Sequence, residues 1–219
     1  MNTVKQNANI VFKVILALFI LTGVGQSLVL ARTGLDVFNI FFYFTNQSNL
    51  ILLGVMIFGI VRLLSGKMEG RFAAFLRNGS TIWILITGLV YHFMLSGASI
   101  AAGRFNFSSV ALHYVTPLMA VLNWIIFEEK GKARLGYAVT WLIYPLAYVG
   151  LSLLRLAIDG FYPYWFLNPL KPLPAGTGSV GLMLAIVAGL VAFFGLVGLL
   201  IAFLDRSLGK RAKPPLTAD

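Results

Sequence analysis

Six apolar runs, each about as long as a bilayer is thick, dominate this sequence. They fall at about residues 10–31, 39–64, 79–100, 108–127, 134–158 and 179–204. A helix rises ~1.5 Å per residue, so ~20 residues cross a hydrocarbon core. A soluble domain has no use for six such runs. With charged residues at 11%, there is too little polar surface to cover a water-soluble fold. The expectation is an all-α polytopic membrane protein: a bundle of six transmembrane helices over 1–205, followed by a disordered cytoplasmic tail at 206–219. A cleavable signal peptide competes for the first run, since Val29-Leu30-Ala31 resembles a cleavage site. The length of that run and the five after it favour a span.

The net charge of +10 raises the question of nucleic acid. The basic residues lie between apolar runs, without a basic helix or interleaved aromatics, so no nucleic-acid partner is expected. Sorted by alternate sides, Lys5, Lys13, Arg62, Lys67, Arg71, Arg77, Lys130, Lys132, Arg134, Arg206, Lys210, Arg211 and Lys213 face Arg32, Arg104, Arg155 and Lys171. That is thirteen against four, accounting for all 17. The positive-inside rule then places both termini in the cytoplasm. The absence of cysteine excludes disulfides, thiol nucleophiles and thiolate metal sites.

The second run carries five consecutive polar residues, Thr45-Asn46-Gln47-Ser48-Asn49. Hydroxyls and amides in hydrocarbon must find partners. Thr45, Ser48 and Asn49 share a helix face, leaving Asn46 and Gln47 to neighbouring helices. The fourth run carries His113, Thr116 and Asn123 on one face, with Pro117 expected to loosen the helix. The third carries Tyr91 and His92. Counted inward from the outer ends of their runs, Thr45, His113 and His92 all lie roughly 6 to 12 Å deep. Three helices thus set their most unusual residues in one layer.

A hydroxyl beside a neutral imidazole is a nucleophile with its general base. Thr45 and His113 are the candidate catalytic pair, with Asn49 or Ser48 as oxyanion donor or support. The bland reading of Thr45 is a hydroxyl bonded back to its own helix. His92, Tyr91, Tyr144, Tyr148, Arg155 and Asp159 are candidate pocket residues. Tyr144, Tyr148, Ser152, Arg155 and Asp159 form a polar stripe on the fifth run, where Arg155 either pairs with Asp159 or anchors a ligand carboxylate. Of the acids, only Asp36 and Asp159 lie on the outer side, so a dyad is expected over a triad. A two-His-one-carboxylate metal site built on His92 and His113 is the weaker chemistry, because no ligand pair has metal-binding spacing. No metal or cofactor is expected.

The loop at 159–169 is rich in aromatics, read as an interfacial belt in preference to a lid. In the sixth run Gly181, Ala185, Ala188, Ala192 and Gly195 form a small-residue stripe, which Ala202 continues past Leu199, read as a helix-packing face.

At Phe44-Thr45-Asn46-Gln47-Ser48-Asn49-Leu50, His113-Tyr114-Val115-Thr116-Pro117, Leu142-Ile143-Tyr144-Pro145-Leu146 and Tyr162-Pro163-Tyr164-Trp165-Phe166-Leu167-Asn168, the chain resembles the bacterial Pr6Pr family of six-span proteins. That family is similar to the eukaryotic androgen-induced-gene-type threonine hydrolases, which cleave fatty acid esters of hydroxy fatty acids within the membrane. The resemblance implies a Thr nucleophile at Thr45 and a His at His113. It also implies membrane lipids or lipid-like esters as substrate, and the bacterial inner membrane as location. The alternative from the residues alone is a non-enzymatic carrier or binding protein for a small amphiphilic acid, held by Arg155. A purely structural membrane subunit is a third reading.

Overall fold

The computed structural model describes residues 3–211. Among them no strand occurs, and six helices are long and apolar enough to cross a membrane. These are α1 (Thr3–Val29), α3 (Phe44–Leu64), α4 (Arg71–Ala101), α5 (Phe107–Phe127), α6 (Tyr137–Asp159) and α7 (Val180–Arg211), with the short α2 (Gly34–Ile40) before α3. The chain is an all-α, multi-pass membrane protein.

Four expected boundaries shift, the first being the start of α1, which begins at Thr3 and not near residue 10. The run at 39–64 is not one helix: α2 stops at Ile40, the chain turns through Phe41–Tyr43, and α3 starts at Phe44. Its own polar residues cause this. The side-chain amides of Asn46 and Gln47 donate to the carbonyls of Ile40 and Phe41, both at 2.9 Å. They therefore serve the last carbonyls of the preceding turn, not neighbouring helices. At the other end of α2, Thr33 and Asp36 form a capping box. The third span begins at Arg71, well before residue 79, because Arg77 finds buried partners in Glu69 and Asn78. Finally, α7 continues to Arg211, into the expected tail. The remainder of that tail, 212–219, lies outside the described residues.

The chain forms two compact units. The first holds the residues up to Ala133 and the segment from Leu204. Its apolar core joins Leu16, Ile20 and Val24 of α1 to Leu52 and Met56 of α3, Ile84 of α4, and Leu112 and Ala120 of α5. Helix α1 is thus a central packing element. Gly23 lets α5 come close, since a Cβ there would sit 2.7 Å from Leu112 Cδ2. Ser27 Oγ and Ser108 Oγ lie 2.7 Å apart, and Ser108 N–H donates to Gln26 Oε1 at 2.6 Å. These contacts tie the end of α1 to the start of α5.

At the opposite end of this unit lies a buried charge network. Lys13 Nζ is 2.5 Å from Glu128 Oε1 and donates to Asn123 Oδ1 at 2.7 Å. Arg77 Nε lies 3.2 Å from Glu128 Oε2, and Arg77 also clasps both oxygens of Glu69 at 2.9 and 3.0 Å. Gly59 gives the lysine its path, since a Cβ there would stand 3.0 Å from Lys13 Cε. The lysine is 1% exposed, so it does not snorkel; it is neutralised in place.

The second unit, Arg134–Phe203, contains α6 and most of α7. A break at Trp141–Leu142 precedes Pro145, which has no N–H to give the carbonyl of Trp141. The helices come close at Gly198, where a Cβ would stand 3.3 Å from Ala138 Cα. The face of α7 packed here runs through Met183, Phe194, Ile201 and Ala202. The expected small-residue stripe is mostly exposed: Gly181, Ala185, Ala188 and Ala192 lie off the packed face.

Removing one partner of a buried ion pair costs about 3–5 kcal/mol, whereas removing both costs less. Lys13→Met and Glu128→Leu are each expected to lower the thermal midpoint of the detergent-purified protein sharply. The double variant should lose less than the two singles summed; additivity within about 0.5 kcal/mol would show that the pair is uncoupled.

Burial favours the neutral acid at Glu128, but the charges of Lys13 and Arg77 outweigh it and hold the carboxyl below its ordinary value of 4.5. The contribution of Glu128 is therefore full above that value and lost as pH falls through the depressed one. Thermal midpoints measured down a pH series should drop below that range in wild type, and less in Glu128→Gln.

Candidate active site

Helix α3 begins at the break described above, and this brings Thr45 into its first turn. Thr45 therefore stands at the start of a helix, not several residues within one. Tyr43 caps α3 with no side-chain hydrogen bond. The first N–H groups of a helix have no intrahelical partner, and the aligned peptide dipoles put partial positive charge there. The Thr45 hydroxyl is set in that field.

Thr45 Oγ1 lies 3.1 Å from His113 Nε2. The other ring nitrogen, Nδ1, is 3.0 Å from the carbonyl oxygen of Ser109. A carbonyl only accepts, so Nδ1 carries the proton. In the neutral ring Nε2 is then a lone pair facing the threonine, and the hydroxyl donates to it. A backbone carbonyl fills the orienting role that an acid takes in a triad. Asp36 is spent on the cap of α2, where its Oδ2 accepts from Arg32 N–H and Thr33 N–H.

The loosening expected at Pro117 is a π turn over Ala111–Val115. Its closing bond runs from Thr116 N–H to the carbonyl of Ala111, five residues back. The cause is local, because Pro117 offers no N–H to the carbonyl of His113 and its ring crowds that carbonyl. The wide turn lets the imidazole project toward α3. A second π turn spans Tyr91–Leu95 in α4, where no proline accounts for it. The two meet where Tyr91 stacks on His113, with ring centroids 3.6 Å apart and planes 17° apart. Such wide turns recur at functional positions. Gly88 allows the approach of α4: a Cβ there would stand 2.7 Å from the His113 carbonyl oxygen.

Ser48 and Asn49 are fully buried. Asn49 Nδ2 donates to the carbonyls of Thr45 at 2.8 Å and Leu112 at 3.3 Å, while its Oδ1 accepts from the Thr116 hydroxyl at 2.8 Å. It clamps the helix of the threonine to the helix of the histidine. Ser48 Oγ reaches the Thr45 carbonyl at 3.1 Å and Thr87 Oγ1 at 2.9 Å, tying α3 to α4. Their protons are committed, so the oxyanion role expected of them gives way to a supporting one.

The other candidates divide. Tyr91 belongs to the site. His92 does not pair with Thr45: it is exposed and lies 3.3 Å through Nδ1 from Tyr114 Oη. Among the described residues no three of His, Asp and Glu converge in a way that could hold a metal. In the second unit Tyr148 and Arg155 are buried and Tyr144 half-buried. Arg155 Nη2 lies 2.6 Å from the half-exposed Asp159, and its guanidinium lies 4.2 Å over Phe161. The self-paired arrangement is the one adopted. The aromatic loop folds onto its own unit, with Tyr164 stacked on Phe166, and Phe166 and Leu167 buried. Phe161, Tyr162, Tyr164 and Trp165 remain half-buried.

Sequence reasoning missed Ser109, which contributes only a carbonyl, and Gly88, which contributes only room. Neither carries a side-chain signal. No protein-family model, curated protein or solved structure matches the chain.

In spectra of the ¹⁵N-histidine-labelled protein at neutral pH, His113 should give the neutral Nδ1–H form, identified by its loss in His113→Ala. Gly88→Ala, which pushes on the carbonyl of His113, should shift or broaden that signal. An Nε2–H form would reverse donor and acceptor between Thr45 and His113.

Proposed function

We propose that the protein is an intramembrane hydrolase of lipid carboxylic esters, with Thr45 as nucleophile and His113 as general base. The observation that carries the reading is the 3.1 Å approach of Thr45 Oγ1 to an Nε2 whose tautomer is dictated by the Ser109 carbonyl. The motif-level resemblance to the Pr6Pr family and to the eukaryotic threonine hydrolases implies the same two residues. Taken with the positive-inside count, the reading places both termini in the cytoplasm and the dyad beneath the outer leaflet, in a bacterial inner membrane. His113 is half-buried, while Thr45 beside it is buried.

The reaction follows from the hydrogen bonds. Thr45 Oγ attacks the ester carbonyl carbon as its proton passes to His113 Nε2, and the carbonyl π pair moves onto oxygen. The first turn of α3 places positive polarisation near that oxyanion. Collapse restores the carbonyl and breaks the bond to the alkoxy oxygen, which leaves as the alcohol with the proton from Nε2. Water then attacks the acyl-threonine, giving its proton to Nε2. The second collapse releases the carboxylic acid and returns the proton to Thr45. The imidazolium formed in each half stays bonded to the Ser109 carbonyl and faces the Tyr91 ring, both favourable to positive charge.

Purified wild type should hydrolyse lipid esters. Thr45→Ala should abolish turnover, and His113→Ala should lower it by about 10²–10⁴-fold, the usual worth of a positioned base. A fluorophosphonate probe should label wild type and not Thr45→Ala. Full activity in both variants would sink this mechanism.

A further inference from the structure

A buried phenol beside the dyad has no hydrogen-bond partner among the described residues. Tyr91 is 5% exposed, and its Oη forms no hydrogen bond. Native structures leave few buried hydroxyls unsatisfied, because each gives up water without replacement. Such a group is retained where something outside the chain completes it.

Its position bounds what that can be. The ring lies flat on the His113 imidazole at 3.6 Å. Whichever way a stacked phenol is turned, its oxygen falls within about 6 Å of the imidazole nitrogens, within reach of a group bound at that ring. The other polar side chains considered for the oxyanion are committed. Asn49 gives both amide protons to carbonyls, the Ser48 hydroxyl lies between the Thr45 carbonyl and Thr87, and His92 lies against Tyr114. We infer that Tyr91 is a catalytic residue whose Oη–H donates to the carbonyl oxygen of the bound ester and holds it as the oxyanion forms. This rests on the Thr45–His113 reading above. It also fits the medium: a neutral phenol supplies a strong donor without burying a charge, whereas an arginine or lysine in that place would need a counter-ion.

The ring and the hydroxyl then have separate tasks. The ring supports the imidazole face, and the hydroxyl binds developing negative charge. Tyr91→Phe removes the second and keeps the first. It deletes an unpaired polar atom, so the thermal midpoint should stay the same or rise.

The test uses the full chain in detergent with para-nitrophenyl octanoate as substrate and a long-chain alkyl trifluoromethyl ketone as inhibitor. The hydrated or threonine-bound ketone mimics the tetrahedral oxyanion. Tyr91→Phe should lower kcat by about 100-fold with KM nearly unchanged, the usual loss for one oxyanion donor. Its affinity for the ketone should fall by a similar factor. Loss of activity accompanied by a lowered thermal midpoint and unchanged ketone affinity per active site would assign Tyr91 a packing role and overturn the inference. Near-wild-type turnover in Tyr91→Phe, with Thr45→Ala inactive, would also overturn it while leaving the dyad standing. Wild-type turnover in Thr45→Ala, or a wild type that neither turns over the ester nor binds the ketone, would remove the dyad reading and this inference together.

Discussion

Hydrocarbon offers no hydrogen bonds, so a polar group placed there must be met by another part of the chain or by a bound molecule. The run from Thr45 to Asn49 shows the consequence residue by residue. Asn46 and Gln47 reach back to the carbonyls of Ile40 and Phe41 and so permit α2 to end and α3 to begin. Ser48 and Asn49 reach sideways to Thr87, Leu112 and Thr116 and so fix α3 against α4 and α5. Thr45 remains, with its hydroxyl on an imidazole. Four residues of the run satisfy the backbone and neighbouring helices, and they set the fifth in a helix first turn where a developing negative charge is favoured.

The same constraint shapes α5. A proline inside a span strips one carbonyl of its donor and pushes against it. Here the helix widens by one residue over Ala111–Val115, and the ring of His113 emerges from that turn. The carbonyl of Ser109 then takes the Nδ1 proton, a local contact four residues back along the chain. Orientation of the base therefore needs no acid, in keeping with a chain whose acids, Asp36 and Glu128 among them, are already engaged in a cap and in ion pairs. The device is sensitive to backbone position. Gly88 matters for that reason, since any side chain there meets the carbonyl of the histidine itself.

The fold was readable because bilayer thickness imposes a length on apolar runs, and this chain has six of them. Boundaries were less readable where polar residues have hidden partners. Arg77 looked like a loop residue only because Glu69 and Glu128 could not be seen beside it. The small-residue stripe of α7 misled for a related reason: periodicity shows that a face exists, not that another helix covers it. At the site, Thr45 and His113 stand out as polar groups on separate apolar runs, but the inward count from residue 39 does not hold for Thr45, because the chain turns at Phe41–Tyr43 before its helix begins. His92, expected in the same layer, is exposed. Direction depends on the π turn at Tyr91–Leu95, which no proline announces. Carbonyls and glycines that act through position leave no mark on composition.

The charge network far from the dyad bears on it through rigidity. A contact of 3.1 Å between residues 68 positions apart in the chain survives only if their helices keep their register. Misplacement of reacting groups by about 1 Å can cost 10²-fold in rate. Apolar side chains alone leave helices free to slide in lipid, since lipid tails compete for the same surface. Lys13 on α1, Arg77 on α4, and Asn123 with Glu128 at the end of α5 cannot slide without exposing a charge to hydrocarbon. The network therefore pins α1, α4 and α5 at one end while Asn49 and Ser48 pin α3 to α4 and α5 at the other. Between the two pins the apolar core around Leu52, Ile84 and Leu112 needs only to fill space. Buried ion pairs are weak evidence of added stability, but they are strong determinants of register where a shift would leave a charge unpaired. In this chain, register is what a hydroxyl and an imidazole on separate helices depend on.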